Sequence, residues 1–260
     1  MIYGSDWGGY LSALNDEAIP FNDLHAVGLL DFFVTKGDQE VPYISSVKNI
    51  NYARAAGVEV VGSYYWHYPQ WTAQYQIETY SQAIDREKPD FIALDMENTG
   101  DKASWAISEN ARTLCEGLTK NFPSLKLFIY TSQNYINTYT PDCNQWIGNY
   151  GRWIASWPDY GVKRTQAERY LSPDEIKAYP LPGWKPANPL AWVSKPMQLW
   201  QFGTWQIPEG YGWPFDHQYD WNVYDGTFDQ LKILCGMKPA QEYTDAEKLD
   251  KLWDAHPELH

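Results

Sequence analysis

Cysteine is scarce in this chain, with only Cys115, Cys143 and Cys235 among 260 residues. An odd, widely spaced set builds neither a disulfide framework nor a zinc site, and it predicts synthesis in a reducing cytoplasm. No run of about 18 apolar residues occurs, so no transmembrane helix is expected. The opening Met1-Ile2-Tyr3-Gly4-Ser5-Asp6-Trp7 lacks the basic segment and apolar core of a secretory leader. If the target lies outside the cell, something else must carry the chain there. Positive charge is in deficit: 20 Lys and Arg face 33 Asp and Glu, a net charge of −13. That balance removes the basic face of a nucleic-acid binder and any attraction to anionic membranes. Neither a glycine-rich phosphate loop with its lysine nor a His-Glu-x-x-His zinc motif is present. Asp95 to Asp101 has the acids and glycine of a calcium loop, but its twelfth position is Ala106, where a bidentate Glu is required. No cofactor and no metal are expected.

What is abundant is aromatic: 14 Trp and 20 Tyr. Both join an apolar face to a polar handle, which suits sugars, whose C–H faces lie between hydroxyl groups. Short β-rich runs alternate with amphipathic stretches, the pattern of βαβ units. Strands are predicted at 2–5, 31–36, 58–66, 90–95, 125–131, 152–156, 197–202 and 218–223, and helices at 43–56, 73–87 and 102–121. Gly57 and Pro89 supply stop signals. The reading is an α/β fold, a TIM-like barrel with incomplete helices of (β/α)5(β)3 type, over residues 1–236. A Pro- and Trp-rich insertion, 158–196, is expected over one face; within it Ser172-Pro173-Asp174-Glu175 opens a short helix. Residues 237–260 are read as a charged helical tail or the start of a linker, with a capping box at Thr244 to Glu247.

Chemistry concentrates at strand ends. Phe91-Ile92-Ala93-Leu94-Asp95-Met96-Glu97 delivers two carboxylates at i and i+2, which alternation puts on one face. Their Cα atoms would lie roughly 6.5 Å apart, so burial and mutual repulsion should raise at least one pKa. A carboxylic acid kept protonated near neutrality is what a glycosidase needs; the plain alternative is a pair that caps a helix or binds a cation. Asp6 ends the first strand, ahead of Gly8 and Gly9. Asp220 and Asn222 share a face of the last strand. Tyr64, Trp66 and Tyr130 bring aromatics to the ends of the third and fifth. In a parallel barrel the C-terminal strand ends meet at one mouth.

These motifs, in this order over residues 1–226, resemble the glycoside hydrolase family 25 lysozymes, the Chalaropsis-type muramidases common among phage endolysins. The resemblance rests on Asp6, the Asp95/Glu97 pair, Asp220 with Asn222, Val61-Gly62-Ser63-Tyr64, Trp153-Ile154-Ala155 and Leu199-Trp200-Gln201-Phe202. It implies an eight-stranded barrel that hydrolyses the β-1,4 bond from N-acetylmuramic acid to N-acetylglucosamine. It further implies Glu97 as proton donor, Asp95 and Asp6 in the same pocket, and Asp220 completing an acidic ring. Asp95 is left as nucleophile, or as the group that orients the substrate N-acetyl or a water. The family usually has Ser where this chain has Gly8, which bears on loop detail.

Tyr64, Tyr130, Trp157, Asn222, Gln201 and Trp66 are the candidate substrate-binding residues, with Trp157 the preferred sugar platform. Trp200 and Trp205 are further candidates for the same role. His67 and His217 lack a Ser or Cys partner and read as structural or surface residues. The expected partner is bacterial peptidoglycan, with a wall-binding module possible beyond the tail. The expected setting is phage-type lysis: synthesis in the host cytoplasm, then action on the wall after release or from a virion. The alternatives are an inactive glycan-binding barrel and a structural virion component.

Overall fold

The eight apolar runs close into a cylinder because each buries both of its faces. Inward side chains fill the barrel, and outward ones meet helices. In a computed structural model, the described residues are 1–8, 20–37, 44–157, 171–178, 186–194, 198–205 and 219–237. In chain order these give β1 (Ile2–Trp7), α1 (Phe21–Ala26), β2 (Phe32–Lys36), α2 (Ile44–Ala55), β3 (Val60–Trp66) and α3 (Ala73–Glu87). Then come β4 (Phe91–Asp95), α4 (Ser104–Asn121), β5 (Lys126–Ser132), β6 (Gly151–Ala155), α5 (Pro173–Ala178), β7 (Leu199–Trp205), β8 (Tyr219–Tyr224) and α6 (Phe228–Leu234). The sheet closes in sequence order, β1 to β8.

Neighbours are parallel from β1 through β7, but β8 runs antiparallel to both β7 and β1. The sequence-based expectation that every strand presents its C-terminal end to the mouth is therefore corrected for β8. Asp220, near the start of β8, pairs with Asp6 near the end of β1. Reversal of the last strand is what brings Asp220 to the mouth.

Inside the barrel, small and large residues alternate. Gly62 pairs with Phe91, and a Cβ on Gly62 would lie 2.4 Å from that ring. Gly151 pairs with Phe128 in the same manner, at 2.6 Å. Val34, Val60, Ala93 and Leu199 fill the remaining space.

Outside, α3 and α4 lay Ile77, Tyr80, Ile84, Ala111, Leu114 and Leu118 over Val61, Tyr65, Ile92 and Ile129. Their helical spacing turns one stripe inward, and each fully buried aliphatic side chain contributes about 1.5–3 kcal/mol. Thr72 caps α3 by accepting from Tyr75 N–H at 3.3 Å. Lys88, with φ 51°, ends it just before Pro89. After β5, a π-helical turn (Tyr135–Tyr139) and 3₁₀ turns (Pro141–Gln145 and Ile147–Asn149) supply the fifth outer layer. Pro141 has no N–H to continue a helix, and Trp146 and Ile147 fill the space from this segment instead.

The 158–196 segment is described in two pieces. α5 lies by the end of the barrel opposite the acids: Tyr3 Oη donates to the Lys177 carbonyl at 2.8 Å, and Lys177 Nζ donates to the Val27 carbonyl. By contrast, Ala187 N–H donates to Ser156 Oγ at 3.2 Å, beside the mouth. The expected tail helix, like His217, lies outside the described residues. No helix among the described residues is long and apolar enough to cross a membrane.

Candidate active site

Three strand ends hold the four acids. Asp6 comes from β1 and Asp95 is the last residue of β4, paired with Trp66 and Tyr130. Glu97 lies two residues past that strand, yet alternation persists. Met96 turns outward into the core, held by Met96 N–H to the Tyr130 carbonyl at 2.8 Å and Thr131 Oγ1 to the Met96 carbonyl at 2.8 Å. Asp95 and Glu97 therefore face one pocket of about 110 Å³, lined also by Asp6, Asp220, Tyr64, Trp66, Tyr130, Trp153 and Gln201.

Asp6 is fixed from below. Its Oδ1 accepts from Asn222 Nδ2 at 2.6 Å and from Gln201 Nε2 at 3.0 Å. Each amide is itself oriented: Trp153 Nε1 donates to Asn222 Oδ1 at 2.7 Å, while Tyr130 Oη (2.8 Å) and Trp157 Nε1 (3.2 Å) donate to Gln201 Oε1. A buried network with its donors and acceptors matched in this way is rigid. Asp95 is different, because its Oδ1 is buried and has no hydrogen-bond partner.

The electrostatics follow from burial and crowding. Burial, and then Asp220, push the Asp6 carboxyl well above the usual range, against the two amide donors. Burial raises Asp95 well above it too, helped by Glu97, Asp6 and Asp220 and opposed by Lys36. Burial lifts Asp220 to about 6, against a hydrogen bond from Thr204. Glu97 is raised by burial, opposed by a hydrogen bond with Tyr130, although it is the most exposed of the four. Four carboxyls this close do not all ionise together near neutrality, so protons are shared among them. Burial and the same acids keep the phenols of Tyr64 and Tyr130 protonated, as donors.

A second, open groove of about 420 Å³ starts at Glu97 and Tyr130. It passes Gln133, Asn134 and Trp157 to Ala187. Tyr64, Trp66, Tyr130, Trp157 and Gln201 thus line the two cavities.

Three aromatic or amide assignments change. Asn222 is fully buried and its amide is spent on Asp6 and Trp153, so it positions Asp6 and does not bind substrate. Trp200 and Trp205, each 2% exposed, pack outward in the core and offer no platform. Odd-numbered residues of β7 up to Gln201 point inward, and the bulge between Gln201 and Gly203 shifts the alternation beyond it. His67 is structural, as expected. It is buried with Nε2 2.9 Å from Asn110 Oδ1, which also accepts from Gln76, and its pKa falls to about 4 through desolvation.

Beside the acids, sequence reasoning missed two residues, and along the groove it missed Gln133 and Asn134. Trp153 stands edge-on to Tyr130, ring centroids 4.8 Å apart, and walls the pocket. Lys36 ends β2 with Nζ 5.3 Å from the Trp66 ring centre, where it favours ionised Asp95. Alternation from Tyr130 and Val34 along neighbouring strands was the available signal for both.

The sequence model for glycosyl hydrolases family 25 matches residues 13–204. No curated protein sequence matches. Among solved structures, a family 25 glycosyl hydrolase from Bacillus anthracis is similar at TM-score 0.60 and 17% identity, covering 90% of this chain and 94% of that one. The catalytic domain of endolysin ply40, from bacteriophage P40 of Listeria monocytogenes, aligns at 0.59 and 16%, covering 91% and 98%. The modular autolysin LytC from Streptococcus pneumoniae, solved with a synthetic peptidoglycan ligand, aligns at 0.56 and 13%, over 86% of this chain and 46% of that one. These likenesses show a shared barrel. Asp6 and Asp220 fall outside the matched range and join the site through barrel closure.

Proposed function

The chain belongs to glycosyl hydrolases family 25 and is a glycoside hydrolase, and from this we propose that it is a peptidoglycan hydrolase of lysozyme type. The bond assigned is the β-1,4 link from N-acetylmuramic acid to N-acetylglucosamine. One observation carries the reading: Glu97 alone of the four acids lines both the enclosed acid pocket and the open groove. A glycan lying along the groove would place its scissile oxygen beside that carboxyl. The likeness to phage endolysins and autolysins supports a bacterial wall as the polymer and a lytic setting, reached after synthesis in the cytoplasm.

In the proposed mechanism Glu97, raised by burial, is protonated when substrate binds. As the bond between the anomeric carbon and the glycosidic oxygen breaks, the oxygen keeps the electron pair and takes the Glu97 proton. Positive charge grows on the sugar carbon and is stabilised by Asp95, whose bare Oδ1 is free to accept from the substrate N-acetyl group or a water. Asp6, clamped by two amides, fixes the floor of the pocket beneath and shares the proton of the acid set. Water adds to the anomeric carbon and its proton returns to the carboxylate set.

The test is digestion of purified peptidoglycan, borohydride reduction and mass analysis of the fragments, with Glu97→Gln alongside. New reducing ends at N-acetylmuramic acid, lost by a factor of about 10²–10⁴ in the variant, are expected. Reducing ends at N-acetylglucosamine would reassign the bond. A folded variant that clears walls at the wild-type rate would overturn the role of Glu97.

A further inference from the structure

Away from the acid pocket, α4 and the β5–β6 connection enclose a groove of about 430 Å³, larger than the pocket itself. We propose that this groove is a second saccharide-binding site, which holds a distant stretch of the glycan strand being cut. The inference rests on the hydrolase reading for the identity of its ligand.

Trp105, in the first turn of α4, is 69% exposed, more than any other aromatic among the described residues. An indole displayed to water on a helix contributes nothing to the core, and its flat apolar face suits the C–H face of a hexose. The rest of the groove is built and polar. Ser104 Oγ donates to the Asp142 carboxylate and accepts Asp142 N–H at 3.3 Å, pinning that acid to the start of α4. Trp146, 7% exposed, forms part of the lining with its indole N–H tied to Ser108 at 2.8 Å. Arg112 is oriented by Glu109 at 2.7 Å. Planar acid, guanidinium and amide (Gln145) groups beside an open ring match neighbouring sugar hydroxyls. Two acids against one base disfavour an anionic ligand, so a neutral polyol is selected over phosphate-bearing wall polymers.

Placement supports a joint role. α4 follows β4, so its first turn lies at the mouth end of the barrel. One connection serves both sites, since Gln133 and Asn134 line the catalytic groove while Asp142, Gln145 and Trp146 line this one. A polymer long enough to touch both is held at raised effective concentration.

The experiment measures co-sedimentation of the full chain with purified sacculi. It compares Glu97→Gln with Glu97→Gln/Trp105→Ala, and a second pair carries Gln145→Ala in place of Trp105→Ala. Retention should weaken about tenfold on loss of the indole, as expected for a truncated tryptophan anchor, with the thermal midpoint unchanged. In chains with Glu97 intact, Trp105→Ala should lower the ratio of turnover on sacculi to turnover on short soluble fragments. Equal retention with and without Trp105 would overturn the proposal while leaving hydrolysis intact. Retention lost with Trp105, with no reducing ends released by the wild type, would keep the site and overturn the hydrolase reading.

Discussion

Replacing Asp220 by asparagine should make the protein more stable at neutral pH while lowering its activity. Asp220 is held at about 6 against an ordinary 3.8, roughly two units, and each unit is worth about 1.4 kcal/mol between the protonation states. A carboxyl with a raised folded pKa binds its proton more tightly when native. Its contribution is fully present below about pH 4 and is lost as pH rises through about 6. Keeping Asp220 ionised at neutrality therefore costs the native state about 3 kcal/mol. Asparagine keeps the shape and can still accept from Thr204, so most of that cost disappears. A gain of this size raises the midpoint of a chain this long by roughly 6 °C or more. The assay is thermal unfolding of wild type and Asp220→Asn from pH 4 to 8, read as the difference between them. That difference should be near zero at pH 4 and grow through pH 6. A variant no more stable at pH 7, or equally advantaged at both ends, would refute the reasoning.

Lys36→Met removes the cation that favours ionised Asp95, so the acid limb of kcat/KM against pH should move to higher pH; an unmoved limb would detach Asp95 from it. Gly62→Ala forces a Cβ within 2.4 Å of the Phe91 ring, an overpacking that should cost about 1–3 kcal/mol in denaturant unfolding, and a wild-type midpoint would show the barrel interior to be looser than its geometry. With a net charge of −13, the enzyme should be repelled by anionic wall polymers. Raising salt to physiological strength, which shortens the Debye length to about 8 Å, should speed wall clearing, and a steady decline over that range would count against repulsion.

Local chemistry was enough to read much of this protein from its sequence. Strand positions followed from short β-rich runs, and the end of α3 from Pro89. The Asp95/Glu97 pair followed from a period of two that persists even past the end of β4. Where the sequence was silent, the deciding contacts were long-range. Nothing local says that β8 runs antiparallel, yet that reversal sets Asp220 beside Asp6, 214 positions away in the pairing of β1 with β8. Asn222 and Gln201 both read from the sequence as substrate ligands. Depth below the mouth, which only barrel closure fixes, made Asn222 a support for Asp6 and left Gln201 at the pocket wall. Trp157 and Trp200 are both tryptophans at strand ends, but packing alone put one on the groove and the other in the core. Alternation assigns a side chain to a face, whereas exposure and pKa depend on what the remaining strands bring against it.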